Sequence, residues 1–255
     1  MPRYAVISDI HANLEALSAV LGRIEKESVE RIACLGDLVG YNTDPNTCID
    51  ICRSRGITCV AGNHDRAAAG LIEPDGFSDV ARAAILWTQQ RLTDQNKRFL
   101  ANLPLIQNID AQTLMVHGAL HPEPNDQVRI TTEPVASRTI TAMQFEFPSV
   151  RVCFFGHTHL VSCYQYDTMT HPTFPADELK LDFSRLYLVN PGAVGQSRDH
   201  DPRAAYLVYD TDAQTIHFRR VDYDYAAVKR KLLRTPGVLP SRGFIQRLAQ
   251  LIGVR

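Results

Sequence analysis

Two histidines separated by one residue, His157 and His159, follow the apolar run Val152–Phe155 and a glycine. Neutral imidazole is the side chain that most often binds metals in proteins. In the turn after a strand both rings can point into one cleft, but a His-x-His pair alone is a weak indication of a metal site. A metal site here therefore requires further ligands from elsewhere in the chain.

Four other stretches repeat this arrangement, in which an apolar strand runs into a short polar turn. Their polar residues are Asp9 and His11, Asp37, Asn63 and His64, and His117. Because ligands bind at the carboxyl ends of the strands in a mostly parallel sheet, we expect these side chains to converge with His157 and His159. Burying so many polar groups without a partner would cost several kcal/mol each, which favours a bound ligand over solvated loops.

The convergent set predicts a site for two divalent cations. Mixed nitrogen and oxygen ligands suit Mn, Fe, Co, Ni or Zn better than Ca or Mg. Even seven of these eight side chains exceed the needs of one tetrahedral zinc, and seven match two metals that share a bridging carboxylate. Since only the two aspartates carry negative charge, a pair of cations would keep a positive surplus. That surplus favours an anionic substrate such as phosphate and an activated water.

In order and spacing, these motifs resemble those of the calcineurin-like metallophosphoesterases. The motifs are Asp9-x-His11, Gly36-Asp37, Gly62-Asn63-His64-Asp65, His117-Gly118 and Gly156-His157-Thr158-His159. As a set they are highly specific. The stretch from Asn190 to Asp199 also looks like the closing segment of the small bacterial and archaeal branch of that family.

The resemblance implies a four-layer α/β/β/α sandwich with two packed mixed sheets and the metal site at the carboxyl ends of the strands. It implies one cation held by Asp9, His11, Asp37 and His159, and a second held by Asp37, Asn63, His117 and His157. Asp37 would be the bridge, and Mn is the cation favoured for activity. His64 would bind no metal; it would reach the substrate, stabilise the transition-state charge and protonate the leaving oxygen.

The implied activity is hydrolysis of a small phosphomonoester or phosphodiester, such as a nucleotide. Protein serine/threonine phosphatases of this fold have an acidic residue and an arginine shortly after the bridging Asp, and an arginine before the Gly-Asn-His turn. Here those places hold Leu38–Asn42 and Ala61, which disfavours a protein phosphatase. Since a guanidinium matches phosphate oxygens, the candidate phosphate clamps are Arg66, Arg198 and Arg203. No orienting carboxylate for His64 is obvious.

Three other functions fit the same motifs: a metal-dependent nuclease, a diadenosine polyphosphate hydrolase and a non-catalytic scaffold of the same fold. The net charge of −1 and the lack of a basic stripe argue against nucleic acid as a partner. A scaffold should have lost ligands, and none is missing. The sequence indicates no oligomeric state.

The 255 residues are enough for one large core, and we expect a single domain over residues 1–255. Strands and helices alternate up to Val60, which predicts a parallel sheet. We expect a continuous helical stretch from Asp79 to Leu103, and antiparallel strands after Val161 that form a second sheet. A last short helix is predicted from Gly243 to Leu251.

Six cysteines without a Cys-x-x-Cys spacing favour a reducing compartment, so we expect a cytoplasmic protein. The chain starts directly with a strand-like run, which predicts no signal peptide. No apolar run approaches the ~18 residues that a membrane-spanning helix needs, so we expect no membrane partner.

Overall fold

The computed structural model describes residues 2–121, 123–165 and 177–238. The strands are β1 (Arg3–Ile7), β2 (Arg31–Cys34), β3 (Thr58–Cys59), β4 (Ile106–Asp110), β5 (Thr113–Val116), β6 (Val152–Phe154), β7 (Val161–Gln165), β8 (Glu178–Lys180), β9 (Tyr187–Pro191), β10 (Ala204–Asp210) and β11 (Thr215–Val221). The helices are α1 (Leu14–Ile24), α2 (Pro45–Ser54), α3 (Asn63–Ala69), α4 (Asp79–Gln89), α5 (Asp94–Ala101), α6 (Glu133–Glu146) and α7 (Tyr225–Arg234).

Within those residues the strands form two mixed sheets. The six-stranded sheet has the order β3-β2-β1-β10-β11-β8, and the five-stranded sheet has the order β4-β5-β6-β9-β7. In the first sheet β1, β2 and β3 are parallel, while β10 runs antiparallel to β1. In the second sheet β5, β6 and β9 are parallel, and the edge strands β4 and β7 are antiparallel to their neighbours.

Alternation along the strands divides the core into three apolar layers. In β1, Ala5 and Ile7 face the cluster that contains Leu17 and Val20 of α1, while Val6 faces the cluster shared by both sheets. In β5, Met115 faces that shared cluster, whereas its neighbours on the strand pack against α6. Because successive side chains of a strand point to opposite faces, each sheet buries both of its faces. The predicted four-layer sandwich is therefore confirmed.

The predicted division of strands between the sheets was wrong. The sequence placed the strands that end at His117 and Gly156 in the first sheet and all later strands in a second. In the structure β5 and β6 belong to the second sheet, while β10 and β11 return to extend the first sheet beside β1. Hydrophobic alternation shows that a strand has buried faces but does not identify the strand that it pairs with.

The helical stretch predicted from Asp79 to Leu103 is two helices. The first ends at Gln89, and Thr93 begins the second, because its side chain accepts a hydrogen bond of 3.2 Å from the backbone N–H of Asn96. A threonine in this position is a typical N-cap. The short helix α3 and the edge strands β4 and β8 were not predicted. The helix predicted from Gly243 to Leu251 lies outside the described residues.

None of the helices in the described part of the chain has the length and apolar character needed to cross a lipid bilayer. All six cysteines lie in the described ranges, are buried and form no disulfide.

Candidate metal centre

The five polar turns meet where the two sheets pack together. Three follow β1, β2 and β3 of the six-stranded sheet, and two follow β5 and β6 of the five-stranded sheet. Backbone hydrogen bonds tie neighbouring turns to each other: Asp9 N–H donates to Gly36 C=O over 3.0 Å, and Gly156 N–H donates to His117 C=O over 2.9 Å. The sequence predicted that the candidate ligands lie at the carboxyl ends of strands in one sheet. In the structure these strands belong to two sheets, and their carboxyl ends meet at one place.

The structure brings the candidate ligands together in two overlapping groups. The first contains Asp9, His11, Asp37 and His159, and the second contains Asp37, His117 and His157. In each group the possible ligand atoms all lie within 4.8 Å of one another, and every member is buried. Asn63 lies beside them at the start of α3, with its side-chain oxygen buried.

Asp37 is the residue shared by both groups. Its Oδ2 atom lies 3.7 Å from Nε2 of His11 in the first group and 3.3 Å from Nε2 of His117 in the second. The first group is closed by Oδ1 of Asp9, which is 3.2 Å from Nε2 of His159. One carboxylate oxygen therefore faces both groups, which is the geometry that a bridging ligand requires.

Backbone carbonyls fix the orientation of the four imidazole rings. The Nδ1 atoms bond to carbonyl oxygens for His11 (Val39, 3.1 Å), His117 (Leu35, 2.7 Å) and His159 (Gln196, 2.6 Å). His157 is turned the other way, because its Nε2 bonds to the carbonyl of Gln127 at 3.3 Å. A ring that donates one N–H to a carbonyl presents its other nitrogen as a lone-pair donor, which is the usual state of a metal-binding histidine.

Several of the inward-facing atoms are buried and make no hydrogen bond of acceptable geometry, even where another group of the cluster lies 3.2–3.3 Å away. They are Oδ1 of Asp9, Oδ2 of Asp37, Oδ1 of Asn63 and Nε2 of His117. Buried polar atoms without partners are rare in native proteins, because each costs roughly 1–3 kcal/mol. Carboxylate oxygen, amide oxygen and imidazole nitrogen are all ligands for first-row divalent metals. The residues present therefore fit a pair of such cations.

The charges of this cluster perturb the pKa values of its members. Burial alone would lower the pKa of His117, but the adjacent carboxylate of Asp37 raises it to about 10. In turn the imidazoles of His117 and His64 hold the pKa of Asp37 well below its usual range, against the effect of burial. Burial and the charge of His117 lower the pKa of His157 to about 3. Because a metal ligand must be deprotonated, a cation here would compete with the proton on His117.

The turns that carry the candidate ligands have an uncommon backbone conformation. Asp9, His11, Asp37, His157 and His159 all have positive φ, between 50° and 66°. In the described part of the chain, every non-glycine residue with positive φ except Gln214 lies in these turns. Left-handed backbone costs non-glycine residues about 1–3 kcal/mol each, and such residues cluster at functional sites.

Two glycines allow the turns to pack this closely. A Cβ atom on Gly62 would overlap Oδ1 of Asp37, and one on Gly156 would overlap the hydroxyl of Ser8 and approach Oδ2 of Asp9 to 3.0 Å. Ser8 donates a hydrogen bond of 2.6 Å to that Asp9 oxygen. The glycines are thus required by the space around the aspartates.

His64 lies beside the two groups, at the wall of a cleft. Its backbone N–H donates to Oδ1 of Asp37 at 2.9 Å, and its ring packs against the rings of His11, Tyr41 and Phe77. Burial lowers the pKa of His64 to about 4. Its Nδ1 atom has no partner among the described residues. The neighbouring Asp65 does not orient it, because that carboxylate accepts the backbone N–H groups of Val39 and Gly62.

The three candidate arginines have different surroundings. Arg66 forms an ion pair with the buried Asp126, with 2.9 Å between Nη1 and Oδ1. Arg203 pairs with Asp201 beside a separate surface pocket. Of the three, Arg198 lines the cleft of about 580 Å³ next to the candidate ligands. Arg129 also lines this cleft; it was not predicted, because it belongs to none of the motifs.

Comparisons with known proteins agree with this geometry. Residues 3–214 match the family described as the calcineurin-like phosphoesterase superfamily domain. An uncharacterized protein of Methanocaldococcus jannaschii, MJ0912, is 35% identical, and the alignment covers 95% of this chain and 98% of that protein. The crystal structure of a metallophosphoesterase from Sphaerobacter thermophilus is 37% identical, covers 97% of this chain and 98% of its own, and superposes with a TM-score of 0.80. The structure of the hypothetical protein PH1004 from Pyrococcus horikoshii is 18% identical over 97% of this chain and 98% of its own, with a TM-score of 0.75, and shares the fold.

Proposed function

This chain belongs to the calcineurin-like phosphoesterase superfamily and is a hydrolase of phosphate esters, and we propose that it hydrolyses a small phosphomonoester or phosphodiester with the help of two divalent cations. The observation that carries the proposal is the pair of buried ligand groups that share Asp37 and leave inward-facing atoms without partners. Mn is the cation that we propose for activity.

We assign Asp9, His11, Asp37 and His159 to one cation and Asp37, Asn63, His117 and His157 to the other. Cations bound there would supply Lewis acidity toward a phosphoryl group and lower the pKa of an attacking water. The chain itself supplies the orientation, since the carbonyls of Val39, Leu35, Gln127 and Gln196 hold the four rings.

His64 is the residue that we propose to contact the substrate at the reacting phosphorus. It lines the cleft beside Asn63 and His157, and its backbone is fixed by the bond to Asp37. A pKa of about 4 leaves its ring neutral at pH 7. This favours a role as a hydrogen-bond donor that stabilises developing charge on oxygen, in preference to a role as the acid that protonates the leaving group.

The cleft supports a small substrate. Its volume of about 580 Å³ is within the range of pockets that bind small molecules. We further propose that residues 1–255 form one domain. We also propose a cytoplasmic location, and this proposal rests on the cysteine pattern alone.

The test is hydrolysis of p-nitrophenyl phosphate and bis(p-nitrophenyl) phosphate by the purified protein in Mn²⁺, with metal content measured by elemental analysis. We expect two cations per chain and cleavage of at least one compound. His117→Ala should lose both metal and activity, while His64→Asn should keep the metal and lose about 10²–10³-fold in rate.

His200→Ala is the matched control, because His200 is exposed beside the separate surface pocket. It should keep the metal content and the rate of the wild type. Equal activity in wild type and His117→Ala, or no cleavage of either compound by the Mn²⁺-loaded wild type, would refute the proposal.

A further inference from the structure

Two arginines that lie outside the proposed ligand set line the cleft. Arg129 and Arg198 are both exposed, and both border the cleft with His64 and His157. Among the described residues, neither forms an ion pair with a carboxylate. Nη2 of Arg198 donates a hydrogen bond of 3.3 Å to the hydroxyl of Tyr41.

Three other arginines of the chain have a carboxylate partner. Arg66 pairs with Asp126, Arg203 with Asp201, and Arg220 with Asp199. The cleft thus differs from these parts of the surface, because its two guanidinium groups lack counter-charges from the described protein residues. A guanidinium presents a planar set of N–H donors that matches the oxygens of phosphate and carboxylate groups.

The two arginines occupy equivalent places on the two loops that orient the His-x-His pair. Arg129 is two residues after Gln127, whose carbonyl bonds to His157, and Arg198 is two residues after Gln196, whose carbonyl bonds to His159. Each loop therefore supplies a carbonyl to one candidate ligand and a cationic side chain to the cleft. Any anionic group held by both arginines is thereby placed at a fixed position relative to the proposed cations.

Tyr41 lies within the electrostatic range of both guanidinium groups. Burial raises the pKa of its hydroxyl, and both Arg198 and Arg129 act against this rise. The ring of Tyr41 rests edge-on against His11, at 4.7 Å between ring centroids, and is tilted against His64. The hydroxyl thus anchors Arg198 on the same wall of the cleft that carries His64.

We infer that Arg129 and Arg198 bind a second anionic group of the substrate, so that this site prefers small phosphate esters that carry a further phosphoryl group beyond the one that is hydrolysed. This rests on the proposed function. Two divalent cations carry four positive charges, which exceed the two negative charges of Asp9 and Asp37 by about two. The two arginines raise this positive surplus to about four. One phosphoryl group cannot neutralise this total, whereas a substrate with two phosphoryl groups comes close to doing so.

The test compares substrates that differ in one phosphoryl group. The Mn²⁺-loaded protein is given AMP and adenosine 3′,5′-bisphosphate, which are both phosphomonoesters, and released inorganic phosphate yields kcat/KM for each. We expect kcat/KM for the bisphosphate to exceed that for AMP by about tenfold or more. Charge-assisted hydrogen bonds correspond to about 10- to 100-fold per group, so Arg129→Ala/Arg198→Ala should reduce the ratio of these kcat/KM values to near one.

Two further variants sharpen the result. Arg129→Lys/Arg198→Lys keeps the charge but loses the planar fork, and should restore only part of the ratio. Arg55→Ala removes an exposed arginine that does not line the cleft and should leave the ratio unchanged. Melting temperature and Mn²⁺ content of the double alanine variant should match the wild type, since both side chains are exposed.

A wild-type ratio near one, or a ratio that survives in the double alanine variant, would overturn the inference. If p-nitrophenyl phosphate or its bis ester is cleaved in that case, the proposed phosphoesterase function stands and only the second subsite fails. If no compound is cleaved by the Mn²⁺-loaded wild type, both fail together.

Discussion

Arg66 and Asp126 join two segments that each carry a candidate ligand. Arg66 lies in α3, which begins with Asn63, and Asp126 precedes Gln127, whose carbonyl orients His157. The 2.9 Å contact between Nη1 and Oδ1 therefore braces the cleft from one side to the other. We predict that Arg66→Ala destabilises the protein and weakens cation binding, whereas a phosphate clamp would mainly affect KM.

The magnitude follows from the burial of the pair. The side chain of Asp126 is 3% exposed, and its Oδ2 has no partner in the described part of the chain. Removing one partner of a buried ion pair costs about 3–5 kcal/mol, because it leaves an uncompensated charge. Since the side chain of Arg66 is 26% exposed, water can reach part of the vacated space, and we expect about 2–3 kcal/mol. For a domain of this size that corresponds to a loss of roughly 5–10 °C in Tm.

A double-mutant cycle separates the pair from other effects. Arg66→Ala, Asp126→Asn and the double variant are compared by thermal unfolding, and the coupling energy should be about 2 kcal/mol. Arg82→Ala serves as the control, because its 3.7 Å contact with Asp75 is exposed and should contribute less than about 0.5 kcal/mol. If Arg66→Ala melts within about one degree of the wild type yet raises KM tenfold, the brace is refuted and the clamp is supported.

Three further perturbations test the candidate centre. Chelation should lower the Tm. Mn²⁺ at a hundredfold excess over its Kd should restore about 2.7 kcal/mol of the free energy of unfolding per site. Calorimetry of Asp37→Asn should show that this gain is largely lost. Gly156→Ala should lose bound Mn²⁺ because its Cβ would overlap the hydroxyl of Ser8, and full metal content by elemental analysis would contradict this. Ser8→Ala removes the 2.6 Å bond to Asp9 and should cost about 1–2 kcal/mol in urea unfolding; an unchanged midpoint would show that the bond adds nothing.

Much of the site could be predicted from the sequence, because each candidate ligand directly follows an apolar strand. In an α/β sandwich the carboxyl end of such a strand has few places to point, so the approach of Asp37 to His117 required no knowledge of which strands pair. The four layers were predicted through the resemblance to the family, and strands such as β1 and β5, which are apolar on both faces, agree with them. The division of strands between the sheets was not, because pairing depends on contacts between distant segments.

The surroundings of the arginines could not be predicted either. Arg66 and Asp126 are 60 residues apart in the chain, and no local pattern connects them. The carbonyls that orient His157 and His159 come from Gln127 and Gln196, and a backbone oxygen leaves no signature in the sequence. Arg129 was missed because it belongs to no motif, and its position at the cleft depends on the course of a loop that no local pattern predicts.

The backbone of the ligand turns explains why a site of this kind needs two sheets. Left-handed residues at His157 and His159 fold the chain back shortly after β6, so that both side chains reach the candidate ligand groups. Such turns are unfavourable by about 1–3 kcal/mol for each residue, and they persist only when their surroundings hold them. Here the turns are held by hydrogen bonds to neighbouring turns, as between Gly156 and His117, and by strands that are buried on both faces. Packing of the strands therefore stabilises the unfavourable turns. As a result, the positions of the candidate ligands are fixed by the core.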